Sequence, residues 1–171
     1  MAEVGLNFRP VTAADFALLH HWLNQPHLRR FYQKTPIGPE EIAEKYGPRV
    51  RGEEAGVNHL ACLDGRPYGY LQGYRNLDWP AWAELIGVDG GLSIDLYIGE
   101  PDMLGGGHGR AMLAGYLQVL FSLFPDEWRC YIAHAVDNKA ALACSGSVGF
   151  KPVRRFVEDG IENQLLAIER G

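Results

Sequence analysis

Four glycines occupy five consecutive positions in the segment LGGGHGRAML, residues 104–113, just before an apolar stretch typical of a helix. Glycine inside a helix costs about 1 kcal/mol relative to alanine, so this cluster is unfavourable unless something approaches the backbone closely. The unpaired N–H groups of a first helical turn and the positive end of the helix dipole suit an anion such as phosphate. A plain connecting loop is the other interpretation, and the segment alone leaves both open.

The segments around this cluster alternate between helical and strand periodicity. Cap residues, helical spacing and flanking prolines predict helices within residues 11–26, 38–52, 109–124 and 137–149, with a short helical or irregular piece at 27–36. Alternating apolar runs predict strands at 57–63, 68–74, 81–88, 92–99, 128–135, 150–157 and 161–170. With an early strand, this order indicates a mixed α/β (α+β) layered structure, one domain over residues 1–171.

The composition excludes several classes of protein. With 171 residues and 47% hydrophobic content, the chain can bury one ordinary core. The start MAEVGLNFRP carries Glu3 and no apolar leader, and no run approaches the ~20 apolar residues of a membrane span. A net charge of −5 without a Lys/Arg run longer than a pair argues against nucleic acid, and a cationic partner is favoured. We expect a cytoplasmic monomer or homodimer that binds no membrane.

The cysteines and histidines do not indicate a metal site. The three cysteines, an odd number without CxxC spacing, favour neither a disulfide framework nor zinc. His20 and His21 are adjacent on a predicted helix and so point in different directions, and no HxH or HxxxH spacing occurs. We therefore predict no metal.

Two stretches at the right separation resemble the GNAT superfamily of acetyl-CoA-dependent N-acetyltransferases. LGGGHG stands where that family has a Gln/Arg-x-x-Gly-x-Gly/Ala loop between a central strand, here SIDLYI, and the next helix. DNKAALACSGSVGF matches the later N-x2-A-x7-G-F pattern through Asn138, Ala141, Gly149 and Phe150. The resemblance implies a mixed central sheet, with a splayed strand pair that holds acetyl-CoA and helices on both faces.

The resemblance also implies a set of cofactor-binding positions. The splayed strand would offer backbone groups to the pantetheine arm, and the glycines would bring amides to the pyrophosphate. Leu104 departs from the family's Gln/Arg, so His108 or Arg110 is expected to supply that polar contact, unless both simply lie at a solvated helix start. The implied positions are Leu96, Tyr97, Ile98, Leu104, Gly105, Gly106, Gly107, His108, Gly109, Arg110, Asn138 and Ala141.

Within the superfamily, the chain most resembles aminoglycoside 6′-N-acetyltransferases, and this likeness runs nearly end to end. Siderophore-pathway amine acyltransferases share the early WLNQPHL pattern, so that stretch does not separate the two groups. We expect transfer of acetyl from acetyl-CoA to a primary amine of an aminoglycoside, an activity that confers antibiotic resistance. The alternatives are acylation of a siderophore hydroxylamine or small polyamine, and a non-catalytic acyl-CoA-binding module.

Asp95 is the best candidate for the base that such a reaction needs. An alkylammonium with a pKa near ~10 must lose a proton before it attacks a thioester. Asp95 is the one acid inside an otherwise apolar predicted strand, and buried carboxylates tend to be functional or paired. The resemblance assigns the base, or the anchor of the amine, to this position. An acid that merely caps a bulge is the structural alternative.

A cationic sugar also needs acids and flat apolar faces around it. Asp78, Trp79 and Trp82 in LDWPAW offer both, although the tryptophans could pack in the core. Tyr46, Gln72 and Asp159 match positions that line the sugar site in the resembled enzymes, and His134 stands near an acid expected there. The structural alternatives are a buried helix face for Tyr46, a solvated strand position for Gln72 and turn chemistry for Asp159.

Ser145 stands where GNAT enzymes commonly have a tyrosine that protonates the leaving thiolate. A serine hydroxyl is a far weaker acid and reaches less far. A thiolate whose conjugate acid has a pKa near ~8.5 is already a tolerable leaving group. We therefore predict a small catalytic contribution from Ser145.

Overall fold

A computed structural model describes residues 5–171 of the chain. The prediction that the N-terminus carries no leader rests partly on Glu3, which lies outside the described residues. Between residues 5 and 171, no helix is both long and apolar enough to cross a membrane.

Within the described residues, seven strands form one sheet in the order β1-β2-β3-β4-β5-β7-β6. The sheet is mixed, because β4 pairs with β5 in parallel while β1/β2, β5/β7 and β6/β7 are antiparallel. Together with six helices it confirms the predicted fold class. The strands are β1 Leu6–Pro10, β2 Val57–Leu63, β3 Arg66–Arg75, β4 Leu92–Ile98, β5 Arg129–Ala135, β6 Lys151–Glu158 and β7 Ile161–Glu169. The helices are α1 Phe16–Leu23, α2 Pro26–Phe31, α3 Pro39–Val50, α4 Pro80–Ile86, α5 His108–Leu123 and α6 Lys139–Val148.

Backbone contacts group the residues into two compact units. The first runs to Gln72 and includes Leu96–Met112, and the second comprises Gly73–Asp95 and Leu113–Gly171. Strands β3 and β4 contribute residues to both. That the chain is a single domain stays a prediction.

The first unit is built on a core of aromatic and aliphatic side chains. Helix α1 contributes Leu19, Trp22 and Leu23, and α3 contributes Ile42 and Tyr46, all fully buried. Because these residues recur at helical spacing, one face of each helix is apolar. Pro39 occupies the first helical position of α3, and Tyr46 lies on the buried face of this helix, which was the structural alternative for that residue.

In the second unit, the pairing between β4 and β5 is short. Only Leu92 and Ser93 of β4 have register partners in β5, Cys130 and Tyr131. The following residues of β4, beginning with Ile94 and including Asp95, therefore lie beyond the shared ladder. This early end of the pairing confirms the predicted splayed strand pair.

One predicted strand, residues 81–88, is wrong, because this segment forms helix α4. Pro80 occupies the first helical position, where its missing N–H is not needed. Gly87 ends the helix in a left-handed conformation (φ 72°), and its N–H and that of Val88 return to the Ala83 carbonyl at 2.9 and 3.0 Å. The short apolar run fitted strand spacing as well as helical spacing, and the proline and glycine at its ends decide for the helix.

Candidate functional site

The glycine-rich segment forms an exposed loop that leads into helix α5. Gly105 and Gly107 have φ of 77° and 81°, a left-handed backbone that other residues rarely adopt. The Ala111 N–H reaches the Gly107 carbonyl at 3.1 Å, so the amides of His108, Gly109 and Arg110 belong to the first turn, which a helix leaves without internal partners. This arrangement fits a diphosphate.

The side chains around the loop differ in how far they face solvent. Leu104, at the position where the family has Gln or Arg, is 46% exposed and offers no polar group. His108 makes an edge contact with Tyr68, at 5.9 Å between ring centroids, whereas Arg110 is exposed. Arg110 is therefore the freer of the two residues expected to replace the missing polar contact.

The three β4 positions that the resemblance assigns to the pantetheine arm differ in which of their groups already make contacts within the protein. The Tyr97 ring is buried, stacked on Tyr70 at 5.2 Å and edge-on to Tyr32 at 4.6 Å, so only its backbone can serve a ligand. The Ile98 carbonyl already accepts a hydrogen bond from His27 Nε2 at 2.8 Å. Leu96 is half-buried.

Tyr46 and Gln72 lie within the polar and aromatic interior of the first unit. Tyr46 is fully buried against Tyr70, at 5.3 Å between ring centroids. Gln72 Oε1 accepts hydrogen bonds from Arg49 at 2.7 Å and from the Tyr70 hydroxyl at 3.0 Å. Sequence reasoning missed Arg49, which also pairs with Glu54 at 3.3 Å. The roles of Tyr46 and Gln72 toward a substrate stay predictions.

Asp95 is half-buried on β4 in the second unit, and Tyr74 of β3 holds it. The Tyr74 hydroxyl donates to Asp95 Oδ2 at 3.4 Å, and burial followed by the Asp95 charge raises the pKa of Tyr74 well above its usual value. Tyr74 is therefore a neutral donor at any physiological pH. Its ring also contacts Trp79 edge-on, at 6.1 Å between centroids. Sequence reasoning missed Tyr74, because an aromatic residue on an apolar strand resembles core.

A cleft of about 400 Å³ opens beside these residues in the same unit. The predicted residues Asp78, Trp79 and Trp82 all line it. Asp78 and Trp79 lie just before α4, and Trp82 lies in the first turn of α4 itself. The lining is completed by Pro80, Ala81, Leu85 and Glu158. Glu158 was missed by sequence reasoning, which selected its neighbour Asp159.

Asp159 lies in the turn between β6 and β7. It is exposed, with φ of 51°, and Gly160 follows it at 78°, which is the turn chemistry that an Asp-Gly pair favours. It is not among the residues that line the cleft. Its predicted contact with a substrate stays a prediction.

His134 and Ser145 form a buried pair in the second unit. His134 Nε2 lies 2.8 Å from Ser145 Oγ, and Ser145 is 1% exposed. Burial lowers the pKa of His134 to about 4, so the imidazole is neutral near pH 7. Asn138 caps α6, because its Oδ1 accepts the Ala141 N–H at 3.3 Å. The later motif thus fixes the start of α6.

Comparison with curated proteins gives relatives of one kind. The chain is 28% identical to aminoglycoside N(6′)-acetyltransferase type 1 of Klebsiella pneumoniae over 149 residues, which covers 85% of this chain and 74% of that protein. The protein of the same name from Serratia marcescens matches with the same identity and coverage.

Solved structures with this fold include two further acetyltransferases. Aminoglycoside acetyltransferase AAC(6′)-Ib in complex with coenzyme A and kanamycin superposes with a TM-score of 0.81 at 22% identity, covering 97% of this chain and 95% of that chain. Spermidine N-acetyltransferase from Vibrio cholerae in complex with CoA and spermine gives 0.75 at 17%, covering 96% and 95%. These similarities establish the shared fold.

The glycine loop before α5, the short β4/β5 pairing and the capped α6 agree with a match to the acetyltransferase (GNAT) domain family over residues 11–157. The match covers most of the chain, and the protein therefore belongs to the GNAT acetyltransferase family.

Proposed function

We propose that the protein is an acetyl-CoA-dependent aminoglycoside 6′-N-acetyltransferase. The observation that carries the proposal is the position of the Asp95 carboxylate. It accepts a hydrogen bond from Tyr74, and the Tyr74 ring contacts Trp79, which lines a cleft with two indoles and two acids. A polycationic aminosugar matches such a surface in charge and in its flat faces. The names of the two curated relatives support the same substrate class.

The glycine loop supports acetyl-CoA as the donor. The first-turn amides of α5 and the left-handed glycines would hold the diphosphate, and the β4 backbone at Leu96 and Tyr97 would receive the pantetheine arm. Acetyl-CoA would supply the acetyl group as a thioester whose carbonyl carbon is open to an amine. Leu104 adds no polar contact to this binding.

Asp95 performs the proton transfer that the reaction needs. It accepts a proton from the substrate ammonium, and the neutral amine forms a C–N bond to the thioester carbonyl carbon as the C–S bond breaks. The nitrogen then loses its second proton to water, which leaves the neutral amide. Water returns a proton to the leaving thiolate, with Ser145 at most assisting. The Tyr74 hydroxyl keeps the carboxylate in one orientation.

The composition and the fold support a cellular location, an oligomeric state and a class of partner. We place the enzyme in the cytoplasm, as a monomer or homodimer without nucleic acid or membrane partners, where its activity would confer resistance to aminoglycosides. The net charge of −5 supports a cationic small-molecule partner.

Release of free thiol from acetyl-CoA tests the proposal. We expect release with kanamycin or tobramycin, detected by a thiol reagent, and acetylation at the 6′-amine in the product's mass and NMR spectra. Release only with hydroxylysine-like amines or spermidine would replace the proposal with siderophore or polyamine acylation. Acetyl-CoA binding without turnover on any amine would indicate a non-catalytic module.

A further inference from the structure

A guanidinium group lies at the half-exposed rim of the aromatic core of the first unit. It belongs to Arg49 of α3, whose side chain is 24% exposed. Arg49 Nη1 donates to Gln72 Oε1 at 2.7 Å and to the Tyr70 hydroxyl at 3.3 Å. Arg49 Nε donates to Glu54 at 3.3 Å. These contacts fix one positive charge beside Gln72.

The side-chain oxygen of Gln72 already uses both of its lone pairs. An amide oxygen can accept two hydrogen bonds, and Oε1 accepts one from Arg49 and one from the Tyr70 hydroxyl at 3.0 Å. The nearby Glu54 carboxylate is paired with the same guanidinium. An ammonium group donates hydrogen bonds and accepts none, so it would have to displace Arg49 in order to bind Gln72.

Two cations of the protein itself lie near the ring of Tyr46. Lys45 Nζ is 5.4 Å from the centre of this ring, and Arg49 Cζ is 5.3 Å from it. An aromatic face attracts a cation, and here α3 supplies two of them from consecutive turns. A third cation at the same ring would be repelled by both.

The outer nitrogen of the guanidinium has N–H groups to offer a ligand. Within residues 5–171, Arg49 Nη2 makes no hydrogen bond to a protein acceptor. A guanidinium stays charged at physiological pH and presents its five donors in one plane. A hydroxyl oxygen can accept from Nη2, whereas an ammonium nitrogen has no lone pair. Charge and hydrogen bonding therefore favour the same kind of ligand group.

A pair of stacked rings connects Arg49 to the strand that would hold acetyl-CoA. The Tyr70 hydroxyl accepts from Arg49, and the Tyr70 ring stacks on Tyr97 of β4 at 5.2 Å between centroids. The β4 backbone at Leu96 and Tyr97 is the place proposed above for the pantetheine arm, and all four residues belong to the first unit. An acceptor that approaches the acetyl group from the side of Tyr70 therefore meets the guanidinium.

We propose that Arg49 determines acceptor specificity: at the group of the aminosugar that reaches Gln72, it admits a hydroxyl and rejects an ammonium. The hydroxyl accepts a hydrogen bond from Arg49 Nη2, and an amine at the same position is repelled. The inference rests on the proposed function and narrows it. Among aminosugars with the same reacting amine, those with a hydroxyl in place of a second amine on that ring are preferred, although the net charge of −5 favours cations in general.

The test uses two probes that differ in one group. Kanamycin A has a hydroxyl at the 2′ position of the ring that carries the 6′-amine, and kanamycin B has an amine there. Arg49→Gln is compared with Arg51→Gln, which removes the same charge at the C-cap of α3. Arg51 is 58% exposed and pairs with Glu53 at 2.7 Å, so this control also leaves one acid unpaired. Calorimetry gives Kd, and thiol release at low ionic strength gives kcat and KM.

We expect the wild type to bind kanamycin A about tenfold more tightly than kanamycin B, the scale of a like-charge contact that Glu54 partly offsets. In Arg49→Gln, this ratio should fall to about twofold or less, mainly because kanamycin B binds more tightly. Arg49→Lys keeps the charge and should keep most of the preference. Arg51→Gln should keep the wild-type ratio. Acetyl-CoA should bind all variants with nearly the wild-type Kd, which controls for the fold.

Equal affinity of the wild type for the two kanamycins would overturn the inference, and this result does not depend on whether any variant folds. A preference that persists in Arg49→Gln, or that Arg51→Gln abolishes equally, would overturn it as well, because the discrimination would then come from other residues or from net charge. If the wild type discriminates in Kd but transfers no acetyl group, the proposed function fails, while the Kd comparison still decides the role of Arg49. A wild type that binds neither kanamycin overturns both.

Discussion

Asp95 is a half-buried carboxylate that the Tyr74 hydroxyl orients. Asn has almost the same shape as Asp but cannot accept the proton of an ammonium group. Asp95→Asn should therefore lose at least about a hundredfold in kcat, the usual scale for a general base. Calorimetric binding of acetyl-CoA should remain as in the wild type, which controls for the fold. Near-normal turnover would remove Asp95 from the mechanism.

Ser145 is tied to a neutral imidazole, because burial lowers the pKa of His134 to about 4. Neither group is a strong acid near pH 7, so the leaving thiolate takes its proton mainly from water. Ser145→Ala should cost less than about tenfold in kcat, which is under roughly 1.4 kcal/mol of barrier. Steady-state rates of Ser145→Ala and Asp95→Asn, measured side by side, check this. A loss at Ser145 as large as that at Asp95 would assign the proton transfer to this hydroxyl, acting alone or through an ordered water.

At the scale of elements, Gly99 shows how closely the end of β4 approaches a helix. The Gly99 N–H binds the Tyr68 carbonyl at 2.8 Å, and a Cβ at this position would overlap the ring of Trp22 on α1. Trp22 is fully buried and its Nε1 donates to Glu100 at 3.0 Å, so it has little room to move. The absence of a side chain at Gly99 is therefore a packing requirement.

Gly99→Ala should lower the free energy of unfolding by about 1 to 3 kcal/mol, the usual range for overpacking. Gly90→Ala is the matched control, because its Cβ would meet nothing within 4 Å and its φ is outside the left-handed region. Urea denaturation followed by circular dichroism measures both variants. Equal free energies of unfolding for Gly99→Ala and Gly90→Ala would mean that Trp22 moves aside without a loss of stability.

Most element positions could be predicted from periodicity, because long helices and strands bounded by Pro or Gly leave few alternatives. Helix α4 was missed because seven residues are too few for periodicity to separate helix from strand, and its signals are the flanking Pro80 and Gly87. In the candidate site, Asp95 could be identified because it is an acid within an apolar strand. Trp79 and Trp82 could be identified because two indoles stand beside an acid in one short segment. Tyr74 and Glu158 were not, because only tertiary contacts bring Tyr74 to Asp95 and Glu158 to the indoles.

At the scale of the whole molecule, the net charge of −5 acts together with the acids of the cleft. Exposed charges are screened over about 10 Å at 0.1 M ionic strength, so added salt should weaken the binding of a polycationic amine. The KM for kanamycin should rise between low and high salt, whereas the KM for acetyl-CoA, an anion, should not follow it. Initial rates across a salt series measure both constants. A KM for kanamycin that does not change with salt would contradict an acidic substrate cleft.

Hydrogen bonds join the two ends of the segment that runs from Asn76 to Gly91. The Asn76 N–H binds the Gly91 carbonyl at 2.9 Å, and Asn76 Nδ2 binds the Gly90 carbonyl at 3.0 Å. The residues between are thus an excursion that leaves and rejoins the sheet at one fixed point, and lengthening such an excursion costs little loop entropy. A change in the length or sequence of this segment should therefore alter the cleft that it lines while its two ends stay joined at the same point of the sheet.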